Sequence, residues 1–283
     1  MDKTERIALG YLNDNIRNAI VNTVSVHKKP INEIRLRANK RVFLTIGREN
    51  VRVEHTCTAD DLTYISSVLC KGSLYSYSED IKEGVITTEH GIRAGVCGRA
   101  VLKDGRIHCV RDITSINIRI PHRVKGVCDA LYELVRGRGS VLVYSRPGLG
   151  KSTLLRELIP LMSSGKEPRR VVVIDTRFEL TAFLEEAESV DVFLGYPRRE
   201  GIVSAVRTMS PELIICDEIA SAEDAEAILL AYSAGVKVVV SAHADNYRGL
   251  IANKNILTLI EAGVFSALYE IRENGYEIMI VNE

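Results

Sequence analysis

The chain has no surplus of either charge, and this absence argues against one large class of functions. Lysine plus arginine and aspartate plus glutamate number 37 each among 283 residues, so the net charge is zero. A protein that binds nucleic acid through its overall charge needs a basic field, although local basic loops remain possible here. We therefore expect no stable nucleic-acid partner.

The cysteines form neither a metal-binding nor a disulfide pattern. There are six, at positions 57, 70, 97, 109, 128 and 216, and no two of them make a C-x-x-C pair. This argues against a zinc site and against a disulfide framework, and it is typical of a reducing cytosol. Cys97, Cys109 and Cys216 lie inside apolar runs, so we expect them to be small core residues.

The chain also lacks a long apolar run. No stretch reaches the ~18 consecutive apolar residues of a candidate membrane-spanning helix. Residues 1–6, MDKTER, lead into no apolar segment of the kind found in signal peptides. We therefore expect a cytoplasmic protein that associates with a membrane only peripherally, through partner proteins.

Residues 1–125 mix helical and strand patterns, which predicts a smaller α+β domain. Apolar spacing predicts one helix over 7–26 and another over 59–69. The letters KDGR at 103–106 predict the turn of a β-hairpin. Residues 111–121 alternate polar with apolar side chains, a pattern that an ordinary half-exposed strand would also show.

From residue 126 onward, apolar β-branched runs alternate with helical segments. The predicted strands lie at 141–144, 170–175, 213–218 and 236–241. Such runs between helices predict a parallel sheet with helices on both faces, and hence an α/β domain over 126–283. Asp175, Asp217 and Ser241 lie at or near the ends of three of these strands, at the edge where parallel sheets bind ligands.

The most informative segment is LVYSRPGLGKST at 142–153, which has the strand–turn–helix layout of a P-loop. Backbone N–H groups of the turn and the positive end of the helix attract phosphates. Gly148 and Gly150 let the backbone approach them, because neither has a Cβ. Lys151 can reach the β- and γ-phosphates, and the Ser152 hydroxyl can bind Mg²⁺. The predicted nucleotide-binding residues are Pro147, Gly148, Leu149, Gly150, Lys151, Ser152 and Thr153.

One position departs from the usual P-loop, because Ser145 stands where a glycine is common. A strand–turn–helix without a phosphate-binding role could show the same pattern by chance. Residues downstream must therefore decide whether this segment is a P-loop. Residues 213–218, LIICDE, have the form of a Walker B strand. Asp217 would then support Mg²⁺ together with Ser152, and Glu218 would polarise the attacking water as general base. An apolar run ending in Asp-Glu is common by itself, but a P-loop upstream favours the functional interpretation.

Further candidates end the neighbouring predicted strands. Glu179 or Asp175 could order water or Mg²⁺ near the γ-phosphate, and we favour Glu179; the alternative for Asp175 is helix capping. His243, at the end of the next strand, could sense the γ-phosphate or carry the state of the site to a neighbour, although a lone histidine is more often structural.

Three further candidates are arginines that precede the Walker B strand. Arg207 could stabilise transition-state charge or bridge subunits, and a surface salt bridge is an equally good interpretation. The basic pair Arg198 and Arg199 is expected only to face solvent.

In this order, the motifs resemble the type II/IV secretion ATPase superfamily. They are the P-loop, D-x-R-x-E at 175–179, R-x-M-x-P at 207–211, Asp217-Glu218, and S-A-H at 241–243. The P-loop form S-x-P-G-x-G-K, with Ser145 first, is similar to that of a sporulation branch of this superfamily. Matching blocks extend over roughly residues 30 to 260, including 33–37, 90–95, 111–120 and 190–197.

The resemblance implies a RecA-like P-loop ATPase domain with a parallel central sheet, behind a smaller α+β N-terminal domain. It implies ATP and Mg²⁺ as ligands and a homo-oligomer, a hexameric ring. The ring would drive a secretion or channel apparatus, in this branch the channel between mother cell and forespore, docked on membrane-embedded proteins. Arg93, Arg111 and Arg119 of the N-terminal domain would be candidates to reach the phosphates.

Three positions depart from the family pattern: Thr176 and Phe178 stand where more polar residues are expected, and Ala220 where glycine is expected. None of them removes a catalytic group. Two alternatives stay open, a P-loop ATPase stimulated by nucleic acid and a nucleotide-gated scaffold with negligible turnover.

Overall fold

The computed structural model describes residues 1–27, 29–88, 90–122, 124, 126–182, 184, 187–219 and 221–281. The contacts of the chain divide it into two compact units, Met1–His122 and Arg123–Glu283. Among the described residues, no helix is both long enough and apolar enough to cross a membrane.

The first unit is built on an antiparallel sheet. Its helices are α1 (Lys3–Gly10), α2 (Asp14–Val24), α3 (Ala59–Leu69) and α4 (Ser78–Glu83). Its strands are β1 (Ile31–Arg37), β2 (Lys40–Ile46), β3 (Glu49–Cys57), β4 (Val85–Thr87), β5 (Arg93–Lys103) and β6 (Arg106–Arg119). In the described part of the chain, six strands join in the order β3-β2-β1-β6-β5-β4, and α2, α3 and α4 pack against them.

Because side chains alternate between the two faces along these strands, one face of the sheet packs into the core. Ile34 and Leu36 of β1 and Ile116 and Ile118 of β6 are fully buried or nearly so. The predicted hairpin is confirmed, since Lys103 pairs with Arg106 across a two-residue turn. The expectation for Cys97 is wrong: it is exposed, because it lies on the polar face of β5. Of the other two, Cys216 lies in the core as expected, whereas Cys109 is only half-buried.

The predicted single helix over 7–26 is also wrong, because it divides into α1 and α2. The Asn13 side chain accepts the backbone N–H of Ile16 at 3.0 Å and starts a second helix. Leu12 and Ile16 are both buried, so the apolar spacing continues across the break and does not reveal it.

The second unit is built on a mostly parallel sheet. Its helices are α5 (Asp129–Gly137), α6 (Lys151–Ser163), α7 (Arg198–Thr208), α8 (Ala222–Ser233), α9 (Tyr247–Ala252) and α10 (Lys254–Glu261). Its strands are β7 (Val141–Ser145), β8 (Val171–Asp175), β9 (Val190–Leu194), β10 (Leu213–Cys216), β11 (Lys237–His243), β12 (Ala267–Arg272) and β13 (Gly275–Ile280). Seven described strands are ordered β13-β12-β7-β11-β10-β8-β9, and only the β12–β13 pair among them is antiparallel.

This sheet is covered on both faces, as the sequence predicts. Val141 and Val143 of β7 belong to a core layer with α5 and α6. Leu142 and Tyr144, the alternating residues, belong to the opposite layer with α7, α8 and α10. The α/β fold is therefore confirmed. The parallel register brings the carboxyl ends of β7, β8, β10 and β11 to one edge.

Candidate active site

A cavity of about 390 Å³ opens at this edge of the second unit. Its lining consists of Pro147, Gly148, Gly150, Lys151, Ser152, Thr153, Arg156, Arg177, Glu179, Asp217, Glu218, Ser241 and His243. The structure thus gathers most of the predicted site residues around one space. Of the predicted P-loop set, Leu149 is not among the described lining residues.

The P-loop backbone leaves the start of α6 free for an anion. Gly148 and Gly150 have φ values of +82° and +97°, a left-handed conformation that favours glycine. Gly150 is the N-cap of α6, and no side chain among the described residues caps this end. The first N–H groups of the helix are therefore available to phosphate oxygens.

Lys151 is buried, and its ammonium contacts its own loop. Nζ donates to the carbonyl oxygen of Ser145 at 3.2 Å and to the Ser145 hydroxyl oxygen at 3.2 Å. The Ser145 hydroxyl in turn donates to the carbonyl of Arg146 at 2.7 Å. Burial lowers the pKa of Lys151, and Glu218 and Glu179 oppose this shift. Ser145 therefore serves as a polar contact for Lys151 in this loop.

His243 joins Lys151 to Glu218. Nζ of Lys151 lies 2.8 Å from Nδ1 of His243. An ammonium group can only donate, so Nδ1 accepts and the ring proton is on Nε2. Nε2 lies 3.5 Å from Oε2 of Glu218, and Nη1 of Arg177 lies 3.5 Å from the same oxygen. The carboxylate of Glu218 is thus held between an imidazole and a guanidinium.

The loop after β8 separates the roles of its two carboxylates. Asp175 is fully buried and accepts the backbone N–H groups of Glu179, Leu180 and Thr181 at 2.8, 2.8 and 2.9 Å. Glu179 lines the cavity, and its Oε2 accepts the Ser152 hydroxyl at 3.1 Å. Asp175 therefore shapes the loop, while Glu179 faces the P-loop.

The expectation that Arg198 faces solvent is wrong. Its side chain is only 9% exposed, and Nη2 donates to Oδ1 of Asp217 at 2.7 Å. Nη1 donates to Oδ2 of Asp224 at 2.8 Å. The sequence carries no signal for this pairing, because Arg198 and Asp217 are 19 positions apart and the start of α7 at Arg198 is seen only in the structure.

Asp217 keeps one oxygen free for a ligand. Oδ2 is buried, and none of the described residues donates a hydrogen bond to it. Burial raises the pKa of Asp217, and Arg198 opposes this shift. Oδ2 of Asp217 and the hydroxyl of Ser152 are hard oxygen donors of the kind that Mg²⁺ binds, so these residues fit the ion. No group of three His, Cys, Asp or Glu in the described ranges could hold a metal, and Mg²⁺ usually completes its shell with phosphates and water.

Arg207 is not among the described residues that line this cavity. Arg207 is exposed in the last turn of α7, at the opposite end of that helix from Arg198. Arg93, Arg111 and Arg119 are exposed on β5 and β6 of the first unit. Their proposed contacts with nucleotide stay predictions. Ala220 lies outside the described residues.

Comparison with known proteins agrees with the motif order. Stage III sporulation protein AA of Bacillus subtilis (strain 168) is 33% identical over 271 residues, covering 92% of this chain and 88% of the relative. The Legionella pneumophila ATPase DotB has a similar structure, with a TM-score of 0.64, 16% identity and coverage of 95% of this chain and 81% of DotB. The pilus retraction motor PilT, solved with ADP, gives a TM-score of 0.63 at 17% identity, covering 95% and 83%.

These likenesses confirm the resemblance to secretion ATPases at the level of the fold. A family model described as "Sporulation stage III, protein AA" matches residues 1–278, nearly the whole chain. The chain therefore belongs to the sporulation stage III protein AA family.

Proposed function

We propose that the chain hydrolyses ATP to ADP and phosphate in the cavity at the carboxyl edge of its parallel sheet. The observation that carries this proposal is the convergence of Lys151 and Ser152 of the P-loop with Glu179, Asp217 and Glu218 around one space. Nucleotide-binding proteins use the same combination of a phosphate loop and strand-end carboxylates.

Each residue has a distinct role in the proposed reaction. The free N–H groups at the start of α6 and the ammonium of Lys151 bind phosphate oxygens. Ser152 and Asp217 would hold Mg²⁺, which when bound neutralises charge on the phosphates. Glu218 accepts a proton from water, and the water oxygen then bonds to the γ-phosphorus as the bond to the ADP oxygen breaks. Arg177 and His243 orient Glu218.

Glu218→Gln tests the hydrolytic step. We expect this variant to bind ATP normally but to release phosphate about 10²- to 10⁴-fold more slowly, because a carboxamide cannot act as the base. Phosphate release and binding of a fluorescent ATP analogue are measured on the same sample. Glu226→Gln, the same change at an exposed position on α8, is the control and should turn over at the wild-type rate. Normal turnover by Glu218→Gln would remove Glu218 from its role.

We further propose that the protein works as a hexameric ring in the cytoplasm, docked on membrane-embedded channel or secretion proteins. Membership of a sporulation family and the fold shared with PilT, a pilus retraction motor, support this. In sporulation, the protein would act at the channel between mother cell and forespore. In such a ring, Arg207, which is exposed at the end of α7, would act on the nucleotide of a neighbouring subunit. Light scattering of Glu218→Gln with ATP should give six times the 31.4 kDa chain mass.

The phosphate-release assay also separates the two alternative functions. Phosphate release that rises strongly with DNA and falls steeply with salt would indicate a nucleic-acid ATPase. ATP binding by the wild-type oligomer without phosphate release would indicate a nucleotide-gated scaffold.

A further inference from the structure

Arg198 uses its guanidinium as a bridge between two buried carboxylates. Nε and Nη2 both donate to Oδ1 of Asp217, at 3.3 and 2.7 Å, and Nη1 donates to Oδ2 of Asp224 at 2.8 Å. All three side chains are less than a tenth exposed. A planar guanidinium can hold two carboxylates in fixed directions, and a lysine ammonium cannot reproduce that fork.

Gly201 allows α7 to lie close enough to the sheet for this bridge to form. Gly201 lies one turn after Arg198, on the same side of the helix. A Cβ added at Gly201 would meet Cγ2 of Ile174 in β8 at 2.8 Å. The absence of that Cβ lets the first turn of α7 lie directly against the sheet, and Arg198 then reaches the end of β10.

The bridge leaves the two oxygens of Asp217 unequal. Oδ1 receives two hydrogen bonds from Arg198, whereas Oδ2 is buried and receives none from the described residues. Asp217 also lines the nucleotide cavity. With Oδ1 occupied, the carboxylate cannot rotate without breaking contacts with Arg198, so Oδ2 stays the available ligand.

The other carboxylate ties the bridge to the start of α8. Asp224 Oδ2 accepts the backbone N–H of Ser221, and the Ser221 hydroxyl accepts the N–H of Asp224. This capping box starts α8 a few residues after Glu218. Arg198 therefore connects Asp217 with the first turn of the following helix.

We propose that Arg198 is a positioning residue that fixes Asp217 with Oδ2 towards the magnesium side of the nucleotide cavity, and that it anchors this arrangement to α8 through Asp224. The proposal rests on the nucleotide function proposed above. It requires Arg198 to act through Asp217, with no contact of its own with nucleotide. Residues that orient a metal ligand in this way typically change metal affinity when they are replaced.

Arg198→Lys tests the proposal, because lysine keeps the charge and loses the fork. Binding of a fluorescent ADP analogue is titrated with MgCl₂, and its affinity is measured again in EDTA. We expect the Mg²⁺ concentration for half-maximal binding to rise at least about 10-fold. Affinity in EDTA should stay at the wild-type value. A residue that only stabilised the fold would lower the thermal unfolding midpoint and leave the Mg²⁺ dependence unmoved.

Two more variants complete the test. Arg199→Lys makes the same change at a neighbouring side chain that is 51% exposed, and it should match wild type. Asp224→Asn should also raise the Mg²⁺ requirement, but less than Arg198→Lys does. If Arg198→Lys does not fold, Asp224→Asn tests the proposal in its place. An unshifted Mg²⁺ dependence in the folded variants overturns the positioning role alone. Absence of Mg²⁺-dependent nucleotide binding in the wild type overturns the proposed ATPase function instead.

Discussion

At the scale of single residues, Lys151 combines burial with hydrogen bonds that a ligand could replace. Its ammonium contacts Ser145 and His243 inside the second unit. Those contacts are ordinary hydrogen bonds to neutral acceptors, and phosphate oxygens are stronger acceptors because they carry charge. We therefore expect the ammonium to exchange them for phosphate when nucleotide binds.

Lys151→Ala should weaken nucleotide binding by roughly 10- to 100-fold, since a hydrogen bond between charged groups contributes about 1.5–3 kcal/mol. Titration with a fluorescent ATP analogue measures the change. Lys166→Ala, at an exposed position after α6, removes the same side chain and should bind nucleotide like the wild type. Equal affinity in both variants would show that the phosphates lie elsewhere.

The sequence predicts site residues where a motif sets their spacing, as at Lys151, Ser152 and Asp217-Glu218. It does not predict the partner of Asp217. Arg198 precedes Asp217 by 19 positions, and the two meet only because α7 packs on the sheet. The sequence favours Glu179 over Asp175, and the folded loop supplies a reason, because the Asp175 carboxylate accepts three backbone N–H groups.

At the scale of elements, the contact between α7 and β8 depends on Gly201. Gly201→Ala should lower the stability of the second unit by about 1–3 kcal/mol, because the new methyl would overlap Ile174. A lower denaturant midpoint for unfolding measures this. Gly137→Ala is the matched change at the last residue of α5, where no atom of the described residues lies within 4 Å of the added Cβ. Its midpoint should stay equal or rise slightly. Equal midpoints for both variants would contradict close packing at Gly201.

Helix boundaries can be predicted where the sequence contains recognisable capping residues. The prediction of a helix over 59–69 is confirmed by α3, which starts with a capping box between Thr58 and Asp61. The break between α1 and α2 is different, because Asn13 caps a new helix inside an uninterrupted apolar pattern. Periodicity reports which residues face the core, and it contains no information on whether the backbone between them continues.

At the scale of the whole molecule, burial divides the six cysteines into two classes. Burial raises the pKa of Cys57 and Cys70 to about 11 and that of Cys128 to about 12, and it also raises the pKa of Cys216. The thiolate is the reactive form, so these four should react slowly at pH 8. Cys97 is exposed and Cys109 is half-buried.

Labelling with a chromogenic disulfide at pH 8 should therefore modify about two thiols quickly in the native protein, and the remaining four only in guanidinium. Absorbance against time gives both numbers. Cys97→Ser should remove the fastest phase. Rapid reaction of more than two thiols without denaturant would contradict the burial described for the two cores.

The division into Met1–His122 and Arg123–Glu283 falls close to the predicted change of pattern at 125/126. Alternating β-branched runs are visible in the sequence, so the architecture of the second unit could be predicted. The strand order could not, because β7 lies between β11 and β12, two strands that follow it by many residues.

The contacts of Lys151 have a consequence for how the second unit folds. A buried ammonium without acceptors would oppose folding until a ligand arrived. Here Ser145 and His243 supply acceptors from the chain itself. The second unit can therefore bury this ammonium while no ligand is bound, with its hydrogen bonds made inside the chain.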